Sequence, residues 1–179
     1  PPLKYETPEK SNKEIPLTSN GIIYWTNFYR QEAGLKELKE NQLLDLSAKM
    51  KLEDMFKKQY FEHRSPTGEN MDYWTNLAGY DFLLIGENLA LGNFKDDQEV
   101  VEAWMNSEGH RENILNPRYY EIGVAVGKGF FQEKEVWIAV QHFGLGVSVC
   151  PLPDNDLKTT IENNEEELDE LSFRLELLK

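Results

Sequence analysis

The chain has a single cysteine, Cys150, among 179 residues, and its uninterrupted apolar stretches are only a few residues long, as at residues 82–85. One cysteine cannot form an intrachain disulfide, which excludes a disulfide scaffold and a zinc site built from cysteines of this chain. The apolar stretches are far shorter than the ~20 residues that a membrane-spanning helix needs. We therefore expect no membrane-spanning segment in this sequence.

Basic residues are also scarce. Nineteen Lys and Arg face 32 Asp and Glu, which gives a net charge of −13. Such a surface repels phosphate backbones, so we expect neither nucleic acid nor an anionic membrane as a partner. Hydrophobic residues make up 40% and aromatic residues 12% of the chain, proportions that are typical of a folded domain.

Composition divides the chain into three segments. Residues 1–20 mix proline with polar residues and lack apolar periodicity, which predicts an extended arm or linker. Residues 21–150 form the predicted domain, and residues 151–179 form an acidic helical tail. Because the sequence opens on Pro1 rather than on Met, we expect a trimmed or processed chain, whose upstream signal or anchor would not be visible.

Apolar periodicity and capping residues predict four helices. An apolar stripe ending at Gly34 predicts a first helix, and a second stripe predicts a helix that ends before His63. Asp96 and Glu99 resemble a capping pair that opens a third helix, and Ser107 is placed to cap a short fourth one. The first two stripes consist of Ile22, Trp25 and Tyr29, and of Leu44, Ala48, Leu52 and Met55.

The remaining core is predicted to be strands and loops. Residues 69–95 are punctuated by glycines, which predicts loops with a short helical turn. Residues 122–127 and 136–140 are apolar at both parities and flank a polar, glycine-containing hairpin loop. Strands of this kind are covered on both faces, so the sequence predicts an α/β fold, a three-layer α/β/α sandwich with a C-terminal helical extension.

The tail carries nine acids and three bases over residues 154–179 and an apolar heptad spacing. This pattern predicts an amphipathic helix that docks on its own domain, or alternatively a short coiled coil through which the chain would associate with itself or another protein. The heptad positions are Ile161, Leu168, Leu171, Leu175 and Leu178, with Asn164 at the missing position.

Three histidines are candidates for chemistry. His63 lies between a helix end and a tight turn, and His110 lies in the first turn of a short helix, where the helix dipole favours the neutral ring. His142 lies on a strand at the parity of apolar neighbours, so we interpret it as structural. Glu87 is a carboxylate among apolar residues that needs a partner, either two imidazoles, backbone amides, Arg64 or Arg111.

Six motifs follow one another in a specific order. They are Asn27-x-x-Arg30-x-x-x-Gly34, Phe61-x-His63-x-Ser65-Pro66-x-Gly68, Gly86-Glu87-Asn88, Trp104-x-x-Ser107-x-Gly109-His110-Arg111-x-Asn113-Ile114-Leu115, Glu121-Ile122-Gly123-Val124-Ala125-Val126 and Gln141-x-Phe143. Over residues 22–144 the chain resembles the CAP superfamily, or SCP domain, which includes cysteine-rich secretory, antigen-five and pathogenesis-related class-one proteins.

This resemblance implies an α/β/α sandwich whose cleft gathers two histidines and acidic residues and binds a divalent metal such as zinc in some members. His63 and His110 match the two cleft histidines, and Glu87 matches the first cleft acid. The second acid does not carry over, because Ser107 occupies its position with Glu108 beside it. The remaining cleft-lining candidates are Ser65, Asn88 and Arg111, with Asn113 and Arg111 equally suited to bracing the loop.

The missing cysteines depart from the eukaryotic members and point to the bacterial branch, whose members are mostly extracellular or attached to the cell surface. Two functions stay open. The cleft either binds a metal ion, small molecule, lipid or peptide as a non-catalytic module, or it is a hydrolase that uses a metal or the His63, Glu87 and His110 side chains as acid and base. Ser65 or water would be its nucleophile, although a Ser-Pro-x-Gly turn explains this serine equally well.

Overall fold

The computed structural model describes residues 2–5, 16–149 and 155–177. The helices are α1 (Ser19–Glu32), α2 (Gln42–Lys58), α3 (Met71–Leu77), α4 (Asp97–Met105), α5 (Glu108–Ile114) and α6 (Asn155–Leu177). The strands are β1 (Leu3–Tyr5), β2 (Lys39–Glu40), β3 (Phe82–Gly92), β4 (Glu121–Phe131) and β5 (Lys134–Gly146). The chain divides into two units, Pro1–Val147 and Ser148–Lys179, each of which is described by itself.

The first unit is built on one five-stranded sheet with the order β1-β3-β5-β4-β2. Strand β5 lies in the middle and pairs antiparallel with β3 and β4, whereas the short strands β1 and β2 add in parallel at the edges. Among the described residues, β1 pairs only with residues 90–92 of β3. Among the residues that the structure describes, the preceding residues 82–89 of β3 have no partner strand on this side, and we refer to them as the open edge of the sheet.

Apolar side chains cover both faces of this sheet. On β5, Ala139 and Phe143 join the core beneath α1, α4 and α5, while Ile138 and Val140 join the core beneath α2. Each face removes its apolar surface from water, which is why both parities of the strand are apolar. The predicted three-layer α/β/α sandwich is confirmed.

Polar side chains cap the N-termini of helices α1 and α4. The Thr18 side chain accepts from the backbone N–H of Gly21 at the start of α1, and Asp96 accepts from Glu99 at the start of α4. The capping prediction for Ser107 was wrong in one respect. Ser107 occupies the N-cap of α5, but its hydroxyl makes no cap hydrogen bond and contacts the ring of His110 instead.

For residues 69–95, the predicted short helical turn is confirmed, but the prediction of loops elsewhere was wrong. This segment contains helix α3 and the eleven-residue strand β3. Gly86 lies within the strand and pairs with Phe143. A Cβ at position 86 would lie 2.2 Å from the hydroxyl oxygen of Tyr119, so this glycine marks a close approach rather than a turn. The hairpin after β4 is likewise a tight turn at Gln132 and Glu133, both with positive φ, without a glycine.

Arg30 fixes the loop between α5 and β4 to helix α1. The residue is 1% exposed, and its guanidinium donates to the carbonyl oxygens of Lys36, Ile114 and Asn116 at 2.8–2.9 Å. Five donors in a planar fork suit such a cluster of carbonyls. Arg30 thereby holds the end of the helix that carries His110.

The second unit contains α6, so the tail is helical as predicted over the described residues. Its docking or self-association stays a prediction, and Cys150 and Leu178 lie outside the described residues. None of the helices in the described part of the chain is long and apolar enough to cross a membrane.

Candidate functional site

Glu87 lies on the open-edge strand β3 and points to the α2 face of the sheet. Its side chain is 5% exposed, and its two oxygens have separate partners. Oε1 lies 2.6 Å from Nδ1 of His63, and Oε2 lies 3.0 Å from Nε2 of His142. The carboxylate thus joins a residue of the loop after α2 to a residue of the central strand β5.

This carboxylate is ionised at neutral pH. Burial alone would raise the pKa of Glu87, but the hydrogen bonds from His142 and His63 outweigh burial and lower the pKa to about 2. An ionised carboxylate only accepts hydrogen bonds. Nδ1 of His63 and Nε2 of His142 therefore both donate, and a neutral His63 carries its lone pair on Nε2.

His142 is buried completely and lies directly opposite Glu87 in the register of β3 and β5. Its second ring nitrogen, Nδ1, lies 2.9 Å from the hydroxyl oxygen of Ser47 on α2. A continuous chain of hydrogen bonds thus runs from Ser47 through His142 and Glu87 to His63. The sequence placed His142 at the correct parity, but its contact with Glu87 makes it part of the site.

Lys51 supports the same site from one helical turn further along α2. Its ammonium group is buried and donates to the carbonyl oxygens of Glu62 and His63 at 2.7 and 3.0 Å. Burial lowers the pKa of Lys51, and the negative charge of Glu87 opposes this shift. Lys51 therefore fixes the backbone of His63, while Glu87 fixes its ring.

His110 approaches from α5, on the other side of the sheet. Its Nδ1 lies 2.7 Å from the hydroxyl oxygen of Ser107, and its ring is largely buried. Burial is the main cause that lowers the pKa of His110 to about 4, and a protonated His63 would act in the same direction. The ring is consequently neutral at physiological pH, the state that a base or a metal ligand requires.

Amide side chains tie α5 to the open edge of β3. Asn113 donates to the carbonyl oxygen of Glu87 at 3.1 Å and to the side-chain oxygen of Asn88 at 2.9 Å. Asn88 in turn donates to the carbonyl oxygen of His110 and to Gln141. Consecutive side chains of β3 thus point to opposite faces of the sheet. Glu87 contacts His63 on one face, and Asn88 contacts the helix of His110 on the other.

The other predicted site residues have local roles. The hydroxyl of Ser65 donates to the carboxylate of Glu69 and accepts from backbone N–H groups in its own turn. Arg111 donates to the carbonyl oxygen of Met105, and Glu108 is exposed on the first turn of α5. The partners of Glu87 are imidazoles rather than Arg64 or Arg111.

Sequence reasoning missed Ser47 and Lys51 and the role of His142. The signal for the first two was present, because polar residues recur along α2 at helical spacing beside its apolar stripe. Lys58, the last of them, bonds to Asp54 and Thr67 and secures the turn that follows His63. This polar stripe comprises Ser47, Lys51, Asp54 and Lys58.

A metal ion would need enough donor side chains close together in this site. Within the described ranges, no group of three or more His, Cys, Asp or Glu side chains could hold a metal ion. Two imidazoles, His63 and His110, would be the protein ligands, and water or a bound molecule would complete the ion's shell. The donors fit such an open site, because each ring is oriented by a hydrogen bond at Nδ1, as in known metal sites. They do not fit a closed four-ligand structural zinc site.

Comparison with known proteins gives a consistent family assignment. The family model for CAP, described as the Cysteine-rich secretory protein family, matches residues 23–143. The chain is 40% identical over 135 residues to the uncharacterised protein YkwD of Bacillus subtilis, a match that covers 75% of this chain and 50% of YkwD. It is 35% identical over 122 residues to the uncharacterised membrane protein YlbC of the same organism, covering 68% of this chain and 35% of YlbC. The chain thus spans half or less of the length of these relatives.

Solved structures show the same fold. An extracellular protein containing an SCP domain from Bacillus anthracis is 30% identical with a TM-score of 0.61, covering 70% of this chain and 39% of that one. An outer surface protein of Borrelia burgdorferi is 23% identical with a TM-score of 0.61, covering 70% of this chain and 90% of that one. The second likeness concerns the fold alone.

Proposed function

Since the chain belongs to the CAP family, we propose that it is an extracellular or surface-attached binding module whose cleft takes a divalent metal ion or a small ligand at His63 and His110. One observation carries this proposal. The buried carboxylate of Glu87 engages Nδ1 of His63, leaving Nε2 of a 44% exposed ring without a hydrogen-bond partner among the described residues. A carboxylate behind an exposed imidazole is the arrangement that orients histidine ligands in metal sites.

His110 is the proposed second ligand. Its low pKa keeps the ring neutral, as a metal ligand must be, and His63 contributes to lowering that pKa. Bound zinc would act as a Lewis acid toward a ligand or water. The residues of this chain would contribute two oriented donors, and Asn113 and Asn88 would keep α5 at its distance from β3.

The proposed location outside the cell is supported by one relative. The Bacillus anthracis protein, 30% identical to this chain, is described as extracellular. The whole chain of that protein is longer, so only its SCP domain bears on the cleft proposed here.

A hydrolase is the second candidate, favoured by the His63–Glu87 pair. A carboxylate that holds Nδ1–H makes Nε2 a general base, as in acyl-transfer enzymes. Water would be the nucleophile, because the hydroxyl of Ser65 is engaged by Glu69. Steady hydrolysis of an ester or peptide that stops in His63→Ala would establish this activity over simple binding.

Zinc titration by calorimetry tests the primary proposal. We expect binding at pH 7.5 that weakens at pH 4, because protons compete with zinc for the imidazole of a ligand histidine and the pKa of His110 is about 4. The double variant His63→Ala, His110→Ala should abolish binding, and Glu112→Gln, which removes an exposed acid from the same helix as His110, should leave it unchanged. Equal affinity at both pH values, or undiminished binding by the double variant, would place any metal elsewhere.

A further inference from the structure

Two buried polar side chains, Ser47 and His142, lie behind the cleft and would not touch its ligand. Ser47 comes from α2 and His142 from the central strand β5, and both are 0% exposed. Among the described residues, a hydrogen-bond chain through Glu87 to His63 connects them to the cleft. Burying polar groups in a core costs free energy unless every one is paired, and a simple apolar pair would serve packing at least as well.

The surroundings of His142 are built to hold its ring in one orientation. Its neighbours of the same parity on β5, Ile138 and Val140, are apolar core residues. On one side the register places Glu87 directly opposite, and on the other side it places Gly123, which has no side chain. The ring is therefore left with two polar partners among the described residues, the carboxylate of Glu87 and the hydroxyl of Ser47.

The hydrogens along this chain can be assigned from the acceptor at its centre. Glu87 accepts at both oxygens, so His142 donates from Nε2 and His63 donates from Nδ1. A neutral His142 then accepts at Nδ1 from the hydroxyl of Ser47. For His63 this is the opposite of the Nε2–H tautomer that predominates for histidine in water. The tautomer of a histidine is set by the hydrogen bond that its other nitrogen makes.

We propose that Ser47 and His142 are positioning residues, which orient the Glu87 carboxylate so that it holds His63 as the Nδ1–H tautomer with its Nε2 lone pair available to the cleft. This inference rests on the proposed function only for the use of that lone pair. Lys51 completes the support, because it holds the carbonyl oxygen of His63 while the chain from Ser47 holds the ring. Ser47 and Lys51 lie four residues apart on α2, so a single helix face controls both ends of His63.

Nitrogen-15 NMR of the histidine rings, with the full chain at pH 8 and without metal, tests the proposal. We expect Nδ1–H for His63 in the wild type. His142→Leu, which removes the donor to Glu87, should lose this preference and populate Nε2–H. His142→Gln retains an N–H near the same position and should keep the Nδ1–H form.

Ser47→Ala should reduce the fraction of the Nδ1–H form, whereas Thr75→Ala, which removes a buried hydroxyl bonded only within α3, should not. Well-dispersed amide spectra establish that each variant is folded. If His142→Leu does not fold, Ser47→Ala decides by itself. A wild-type His63 in the Nε2–H form, or an unchanged tautomer in every folded variant that breaks the chain, would overturn the proposal.

Adding zinc to the same samples separates this inference from the proposed function. If the cleft binds zinc, His142→Leu should weaken the affinity ~10-fold or more, as expected for a residue that orients a metal ligand, and His142→Gln should restore it. If zinc leaves the rings of His63 and His110 unperturbed while His63 keeps the Nδ1–H form, the function proposal fails and the positioning role stands. Equal zinc affinity in wild type and folded His142→Leu would contradict the positioning role.

Discussion

A buried carboxylate is the residue on which the site depends. The side chain of Glu87 is buried against one face of the sheet, where an unpaired charge would be strongly destabilising. Two imidazole N–H donors and the nearby charge of Lys51 stabilise its ionised form, which is why its pKa falls to about 2 although burial acts in the other direction. Removing one donor would leave a charged oxygen without a partner, so the residues around Glu87 act as a unit.

The low pKa of His110 predicts acid destabilisation. An unfolded histidine titrates near pH 6.5, whereas burial and His63 lower the pKa of folded His110 to about 4. Between these values the unfolded chain binds the additional proton, so stability is retained above about pH 6.5 and falls as the pH drops toward 4. Urea unfolding without metal at several pH values measures this slope. His110→Asn should make it shallower, and an unchanged slope in this variant would contradict the assigned pKa.

At the scale of elements, helix α2 contributes both to the core and to the site. Its apolar stripe of Leu44, Ala48, Leu52 and Met55 packs on the sheet, and its polar stripe from Ser47 to Lys58 supports the loop of His63. The helix can approach the sheet closely because Gly123 of β4 lies beneath it. A Cβ at position 123 would lie 2.2 Å from the backbone carbon of Leu44.

Gly123→Ala is therefore expected to push α2 away from β4 and destabilise the protein by ~3 kcal/mol, since a backbone cannot move aside as a side chain can. Gly109→Ala is the matched control. Position 109 lies in helix α5, and an added Cβ would have no atom within 4 Å apart from its chain neighbours and the backbone of its own helix, so alanine there should stabilise by ~0.5–1 kcal/mol. Chemical denaturation measures both. A Gly123→Ala variant as stable as the wild type would show that the close approach of α2 is not required.

At the scale of the whole molecule, the described core residues all precede the tail. The last strand, β5, ends at Gly146, and both apolar clusters consist of residues no later than Phe143. The tail forms a separate unit whose helix carries a strong negative charge. Repulsion between like charges disfavours parallel pairing of two such helices, so docking on its own domain remains the predicted arrangement.

A chain that ends at Pro153 should accordingly remain folded and melt cooperatively, because every strand of the sheet is retained. Thermal unfolding followed by circular dichroism compares this shortened chain with the full one. Light scattering of both samples reports the oligomeric state. Loss of cooperative melting would show that the tail belongs to the core, and dimerisation that disappears with the tail would overturn the docking prediction.

Local patterns in the sequence determined much of the fold. The apolar stripes and capping residues predicted α1, α2 and α4, and the two-sided apolar strands β4 and β5 predicted helices on both faces. The order of the motifs indicated the family and singled out His63, Glu87 and His110. These predictions succeed because helix periodicity, capping and strand patterning depend on residues close together in the chain.

Only the tertiary structure decided what surrounds Glu87. Its partner His142 lies 55 residues away, and Ser47 lies 95 residues from His142, so no local pattern connects them. The sequence analysis missed strand β3 for the same reason. Gly86 suggests a loop when only its neighbours in the chain are considered, but a glycine is needed there because the hydroxyl of the distant Tyr119 lies close to its backbone. The register of β3 on β5 places Glu87 opposite His142. Because of this pairing, a histidine that lies on the apolar face of its strand contacts the site.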